Sequence, residues 1–448
     1  MSGDRDLLTR CFDAALSAVH PLEALRPHLP DRPAGRTVVV GAGKGVAQMA
    51  AAFETLWGRC EGVVVTRYGY GCPTAHIRVM EAAHPVPDAA GLAASQALFD
   101  AVAGLGPEDL VVALVCGGGS ALLAAPAPGL DLADEVALNR ALLASGAPIG
   151  VMNALRKQFS AIKGGRLAAA AHPARVVSLI VSDVPGDDPA QVASGPTVPD
   201  ACDRAMALRL VQEYRLDLPQ RLLRFLHDAP ADAPTPADPG FARDRVRIVA
   251  SATHALEAAA EVARGCGAGQ GAGQGTGQSH LQGLAAHILS DAIEGEARDV
   301  ARVHAAIIAE MVARARPFAP PALILSGGET TVTLPSHGGP LGPLGPVTPG
   351  KGGRNTEFLL AFALAVEGLP GVSALAADTD GIDGSEDNAG AFADGGTAAR
   401  MRAAGIDPAA VLARHDAYSA FAAIGDLFVT GPTGTNVNDF RAILVTPG

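Results

Sequence analysis

The sequence predicts an α/β protein whose first half is a parallel sheet covered on both faces, and three observations carry that expectation. Runs such as Thr37–Val40 and Leu110–Cys116 are short, apolar and rich in β-branched residues, as strands buried on both faces are. Longer stretches with helical spacing separate them, the alternation that parallel sheets require. Glycine-rich turns follow the strands, in the layer where open α/β sheets bind their ligands.

In chain order, Thr37–Val40, Gly62–Thr66, Leu110–Cys116 and Arg175–Val181 read as strands bounded by Gly, Pro or Asp. Lys44–Trp57, Asp88–Ala103 and Asp131–Ala144 read as the helices between them. Residues 229–243, APADAPTPADPGFAR, form a Pro/Ala/Asp connector, so domains are expected at 1–240 and 241–448. The second block begins with strand Val246–Ala250, helix His254–Arg264, helix Glu296–Ala315 and strand Ala322–Ser326. Further strands are expected at Thr330–Leu334, Val372–Ala377, Leu427–Thr430 and Ala442–Val445. The Gly/Gln tract 265–280 reads as a flexible insertion, and the Pro/Gly-rich 335–353 as a mobile loop beside the site.

Of 448 residues, 48% are apolar and 18% charged, the balance of a globular chain with two or more cores. A net charge of -12 argues against nucleic acid or an anionic membrane as partner. No apolar run is long enough to span a bilayer, and the acidic start MSGDRDLLTRCFDAALSAVH lacks a signal-peptide layout. The six cysteines form no C-x-x-C pair and suit a reducing cytoplasm, as a monomer or homodimer.

VVVGAGKGVAQMA, residues 38–50, ends a strand in glycines and opens a helix. Gly41 and Gly43 fit a dinucleotide fingerprint, but Val46 stands where its third glycine belongs, and Arg67 rather than an acid ends the next strand. No Walker loop is present. What remains is a glycine turn with Lys44 at a helix start, a place that favours an anion. CGGGSALL repeats the pattern after another strand, where Gly117, Gly118, Gly119 and Ser120 read as a phosphate cradle. Ser120 is alternatively a helix cap or, with no Gly-x-Ser-x-Gly elbow, a less favoured nucleophile.

SDVPGDD brings Asp183, Asp187 and Asp188 to a strand end, suited to Mg²⁺ ligation or to general-base work. In the second block, LSGGETTV sets Gly327, Gly328 and Glu329 after a strand, and GKGGRNTEFLL sets Arg354 and Asn355 at a helix start. AADTDGIDGSEDNAGAF brings Asp378, Asp380, Asp383 and Asn388 after another strand. An EF-hand is rejected there, because Asp383 and Ala389 occupy the positions that need Gly and Glu. Cations, backbone donors and carboxylates at strand ends are the parts phosphoryl transfer requires.

GAGK, GGGSALL, SDVPGDD, SGP, SGGETTV, GKGGRNTE, DTDGIDG, DNAGA and GTNVNDFR occur in this order from residue 41 to residue 441. Together they resemble the type II glycerate kinases, which carry a MOFRL C-terminal domain. The resemblance implies an ATP- and Mg²⁺-dependent enzyme that converts D-glycerate to 2-phosphoglycerate. It also implies a Rossmann-like N-terminal domain, a smaller α/β C-terminal domain and an active site in an interdomain cleft. On the matching positions, Lys44 and Arg354 are the catalytic cations, and Lys44, Arg354 and Asn355 bind substrate. Gly41, Gly43, Gly117–Ser120, Gly327, Gly328 and Glu329 are then expected around the nucleotide. Asp183 or Asp187 serves as base or Mg²⁺ ligand, with Asp378 and Asp380 as rivals for either task. Some members carry the label hydroxypyruvate reductase, which makes an NAD(P)H-dependent reductase the alternative.

Overall fold

The computed structural model describes residues 2–228, 233–267, 281–334 and 350–447. These fall into two compact units, one of Pro21–Ala250 and one of Met1–His20 with Ser251–Gly448.

Unit 21–250 is built on six strands: β1 (Thr37–Ala42), β2 (Glu61–Arg67), β3 (Ile77–Ala82), β4 (Leu110–Val115), β5 (Arg175–Val181) and β6 (Arg245–Ala250). Their order is β3-β2-β1-β4-β5-β6 and every pairing is parallel. This is the doubly wound order of Rossmann-type sheets, with its switch point between β1 and β4. Val38, Val40, Val63, Val65, Val111 and Val115 are almost wholly removed from water on one face of the sheet. Gly41 is required by packing, since a Cβ there would collide with the Leu114 carbonyl of β4.

The second unit carries β7 (Ala285–Ser290), β8 (Gly295–Glu296), β9 (Ala322–Gly328), β10 (Thr330–Thr331), β11 (Val372–Asp378), β12 (Gly390–Asp394), β13 (Leu427–Phe428) and β14 (Asp439–Val445). Six of them form a sheet in the order β13-β12-β11-β14-β9-β7. Within that sheet β7 and β9 pair in parallel and the other neighbours are antiparallel, while β8 and β10 make a separate two-stranded parallel ladder. Buried residues of helices Ala297–Arg314 and Arg354–Ala365 share one apolar core with β9, β11, β12 and β14.

The division of the chain differs from the expected 1–240 and 241–448 at both ends. Arg245–Ala250 extends the first sheet by pairing with β5, so the boundary lies after residue 250 rather than in the Pro-rich connector. Helix Ser2–Val19 belongs to the second unit, where Phe12 meets Phe428 and Phe440 edge-on at 5.2 and 5.5 Å. Four strands were not anticipated: β3, β7, β12 and the two-residue β8, whose Glu296 was expected to open a helix. β3 and β7 keep many half-buried residues, and β12, GAFAD, sits among glycines and acids that read as loop. Thr330–Leu334 shrinks to the two residues of β10. Residues 268–280 and 335–349, which hold most of the two segments expected to be flexible, lie outside the described residues.

Candidate active site

At the switch point of the first sheet, β1 and β4 each end in a glycine turn. Lys44 N–H donates to the Gly117 carbonyl at 2.8 Å, and Gly45 N–H points at Cys116 Sγ at 3.2 Å, so the two turns brace each other. Gly118 adopts φ 79°, a left-handed conformation that costs glycine little. A Cβ on it would lie 2.9 Å from Lys44 Cγ and 3.3 Å from His84 Nε2, which places the ammonium stem and the imidazole over this backbone. A Cβ on Gly117 would strike the Asp183 carboxylate. Lys44, His84, Asp183 and the bare backbone of 117–118 therefore form one constellation. Burial, then Lys44 and Arg67, hold the His84 imidazole down to about 4, so it is neutral at pH 7. Cys116 is buried and its thiol is pushed up to about 12, an inert filler rather than a nucleophile.

The serine of this turn does something other than cap. The helix it enters, Gly119–Leu122, has four residues, and its N-cap is Gly118. Ser120 Oγ instead meets Ser194 Oγ at 2.7 Å, and Ser194 donates to Asn153 Oδ1 at 3.2 Å. Arg156 donates to the same Asn153 oxygen at 3.0 Å. Ala193 and Ser194 hold left-handed φ values of 52° and 59°. Non-glycine residues rarely adopt these, and strain of this kind gathers at functional sites.

The second unit concentrates its charge at one sheet edge because three neighbouring strands end or begin there. Asp378 of β11 is opposite Asp439 of β14, which is opposite Gly328 of β9. Arg354, the first residue of its helix, reaches into this edge and is bound on three sides. Nε donates to Asp439 Oδ1 at 2.6 Å, Nη1 to Glu329 Oε1 at 2.6 Å and Nη2 to Asp378 Oδ2 at 2.7 Å. These three carboxylates outweigh burial and hold the guanidinium firmly protonated. Asp439 is buried, and although burial disfavours its charge, Arg441 and Arg354 hold its carboxyl below the usual range. Arg441, fully enclosed, pairs with Asp439 and also donates to Thr330 Oγ1 at 3.1 Å and the Gly327 carbonyl at 3.2 Å. Asp378 is pushed upward by burial against the pull of Arg354.

The structure thus brings Lys44, Gly117, Gly118 and Asp183 together in one unit, and Arg354, Glu329 and Asp378 in the other. The other expected residues have the following surroundings. Gly41 and Gly43, expected at the nucleotide, are occupied with packing: a Cβ on either would collide with β4 or the turn after it. Gly119 abuts the Ala193 methyl. Gly327 and Gly328 lie inside β9, in register with Phe440 and Asp439, rather than in an open turn. Glu329, also expected at the nucleotide, is half-exposed and paired with Arg354. Asn355 is fully buried, donating to Asp439 at 2.9 Å and facing Asp383, so it braces the acidic edge. Among the described residues no group of three or more His, Cys, Asp or Glu side chains is arranged as a metal cage.

Sequence reasoning missed His84, Asp439 and Arg441. A signal for the last two exists: in NDFRAILV, Asp439 and Arg441 are two apart in an apolar strand, which puts opposite charges on one face.

Comparison with known proteins follows the same division. Residues 7–227 match a model described as a domain of unknown function (DUF4147), and residues 322–439 match the MOFRL family model. The D-glycerate 2-kinase of Thermotoga maritima is 35% identical over 95% of this chain and 94% of its own. The chain belongs to the MOFRL glycerate kinase family. A crystal structure of glycerate kinase from Thermotoga maritima shares its fold at a TM-score of 0.84 and 33% identity, covering 99% of this chain and 100% of that one. A relative from Agrobacterium vitis, 50% identical over 98% of this chain and 94% of its own, is provisionally named a hydroxypyruvate reductase. In this MOFRL chain, the Lys44 turn falls in the first matched segment, and Glu329, Arg354, Asp378 and Asp439 in the second.

Proposed function

We propose that this protein transfers the γ-phosphoryl group of ATP to D-glycerate, giving 2-phosphoglycerate. The observation that supports it best is the guarded cation: Arg354 is fixed by two buried carboxylates and a half-exposed one, ready to exchange the last for a ligand. The carboxylate of glycerate is the fitting replacement, since guanidinium grips carboxylate through parallel N–H bonds. Asp439 and Asp378 set the plane of the fork beforehand. Lys44, beside open glycine backbone, is placed to offset charge on the transferring phosphoryl. Neutral His84 adds no competing positive charge there. Asp183 takes the hydroxyl proton in this reading, its carboxylate lying against Gly117.

Mg²⁺ suits these residues. It binds kinase sites through one or two carboxylates, with nucleotide phosphates and water as its other ligands, so a protein cage is unnecessary. Asp187, on a turn with φ 54°, accepts no side-chain hydrogen bond among the described residues, and Asp380 uses only Oδ1, for Ile382 N–H at 2.9 Å. Either would hold the ion, which when bound neutralises the β- and γ-oxygens.

The name of the Agrobacterium vitis relative favours a reductase, but the end of β2 offers Arg67, stacked on Tyr70 at 4.1 Å, in place of a ribose-binding acid. Phosphorus NMR of the products from ATP, Mg²⁺ and D-glycerate tests the proposal directly. The expected signal is the 2-phosphoglycerate monoester, lost at least roughly 100-fold in rate in Lys44→Ala and Arg354→Ala. Consumption of NADH with hydroxypyruvate, and no phosphoester from glycerate, would replace kinase by reductase.

A further inference from the structure

The first sheet has a second built feature at the opposite edge, where its strands begin. An open surface cleft of about 350 Å³ there is lined by half-buried Arg175 and exposed Arg243 and Arg245, with Pro107, Glu108 and Asp109. Arg175 opens β5, Arg245 opens β6, and Leu110 after Asp109 opens β4. β4 is six residues long, so about 20 Å of strand separates this cleft from the Gly117 turn at 3.3 Å per residue. A ligand here takes no part in chemistry at Lys44.

The three guanidiniums are held by backbone rather than by acids. Arg243 donates to the Pro107 carbonyl at 2.9 Å and the Pro173 carbonyl at 3.5 Å. Arg175 donates to the Asp31 carbonyl at 3.0 Å, and Arg245 to the Asp244 carbonyl at 3.0 Å. A guanidinium has five N–H donors, so each keeps at least three for a ligand. None of the three is in an ion pair among the described residues. The neighbouring acids are engaged elsewhere. Asp109 accepts Arg36 N–H at 2.7 Å and Gly106 N–H at 2.8 Å; Asp244 accepts Val176 N–H at 3.0 Å and faces His172 Nε2 at 2.9 Å. The lining therefore carries three positive charges against Glu108 and Asp109, in a chain whose net charge is -12.

We propose that this cleft is a binding site for a small phosphate-bearing anion, separate from the candidate active site. Its volume suits a small metabolite, and anchored guanidiniums match phosphate oxygens in pairs. The proposal is independent of the glycerate kinase reading.

Inorganic pyrophosphate is the probe, titrated calorimetrically without Mg²⁺ into the full-length protein and its variants. The expected result is binding that weakens at least 10-fold in Arg243→Ala/Arg245→Ala, weakens as salt rises, and persists in Lys44→Ala. Arg245→Ala alone, whose side chain is anchored only on the adjacent carbonyl, supplies a folded variant if the double one is unstable, and should weaken binding several-fold. Equal affinity in wild type and Arg245→Ala, or loss of binding in Lys44→Ala alone, overturns the assignment. So does binding of citrate with none of pyrophosphate, which would make the ligand a carboxylate.

Discussion

Arg354 differs from an ordinary surface arginine in having each of its donor nitrogens matched to a different carboxylate, two of them buried. The third, Glu329, is 53% exposed and is the one an incoming carboxylate can displace. Exposed ion pairs are worth roughly 0.2–1 kcal/mol, so removing this competitor has a modest and signed effect. Glu329→Gln is expected to lower KM for D-glycerate by roughly two- to five-fold. Steady-state kinetics at fixed ATP reads this, and a raised KM would show that Glu329 helps hold substrate. Arg354 drew notice in the sequence because an arginine opening an apolar helix behind glycines is conspicuous. The burial of Asn355, its neighbour, was not legible, because helix geometry turns adjacent residues to different faces: one reaches the carboxylates from the edge and the other is sealed beneath them. His84 was invisible for another reason. It follows β3, an edge strand whose half-buried residues gave no period-2 signal strong enough to locate it.

At the level of elements, the parallel sheet was the legible half and the mixed sheet the obscure one. β1, β2, β4 and β5 announce themselves as valine-rich runs because both their faces are covered. The helix Ser2–Val19 shows the limit of reading in chain order. Its apolar stripe was evident, yet its partners are remote in the chain, helix Ala252–Gly267 first and then β11 and β14: Leu7, Leu8, Cys11, Phe12, Ala15 and Val19 are fully buried within the second unit. Arg5 at its start pairs with Asp426, which Arg400 also binds. Thr435 Oγ1 donates to the Val19 carbonyl at 3.0 Å, tying its far end to the strand approach of β14. Phe12→Ala is accordingly expected to cost about 3–5 kcal/mol, and to destabilise the second unit rather than the parallel sheet. Urea unfolding followed by hydrogen exchange separates the two. Equal loss of protection in β1 and β14 amides would mean that the helix supports both units.

For the molecule as a whole, one built-in source of acid sensitivity is an imidazole buried neutral. His304, on helix Ala297–Arg314, faces the Val300 carbonyl through Nδ1 at 2.8 Å and Ser326 Oγ through Nε2 at 3.0 Å. A neutral ring that donates from Nδ1 and accepts at Nε2 satisfies both partners. Burial is the main cause holding its pKa down to about 4 from 6.5, with Arg441 adding to it. Between those values the unfolded chain binds a proton that the folded one refuses, so stability rises with pH across the window and falls as pH drops from 6.5 toward 4. The loss amounts to about 2 kcal/mol by pH 5 and about 3 kcal/mol near pH 4. Lower pH also diminishes the self-repulsion of an acidic chain, which pulls the other way but is diffuse and screened by salt. His304→Gln keeps a side-chain amide near Ser326 and removes the titration. Its unfolding free energy should therefore change less between pH 7 and pH 5 than the wild type's, by about 2 kcal/mol, when both are measured by urea titration at 0.2 M salt. Parallel pH profiles would assign the acid sensitivity to other groups, the half-buried His84 first among them.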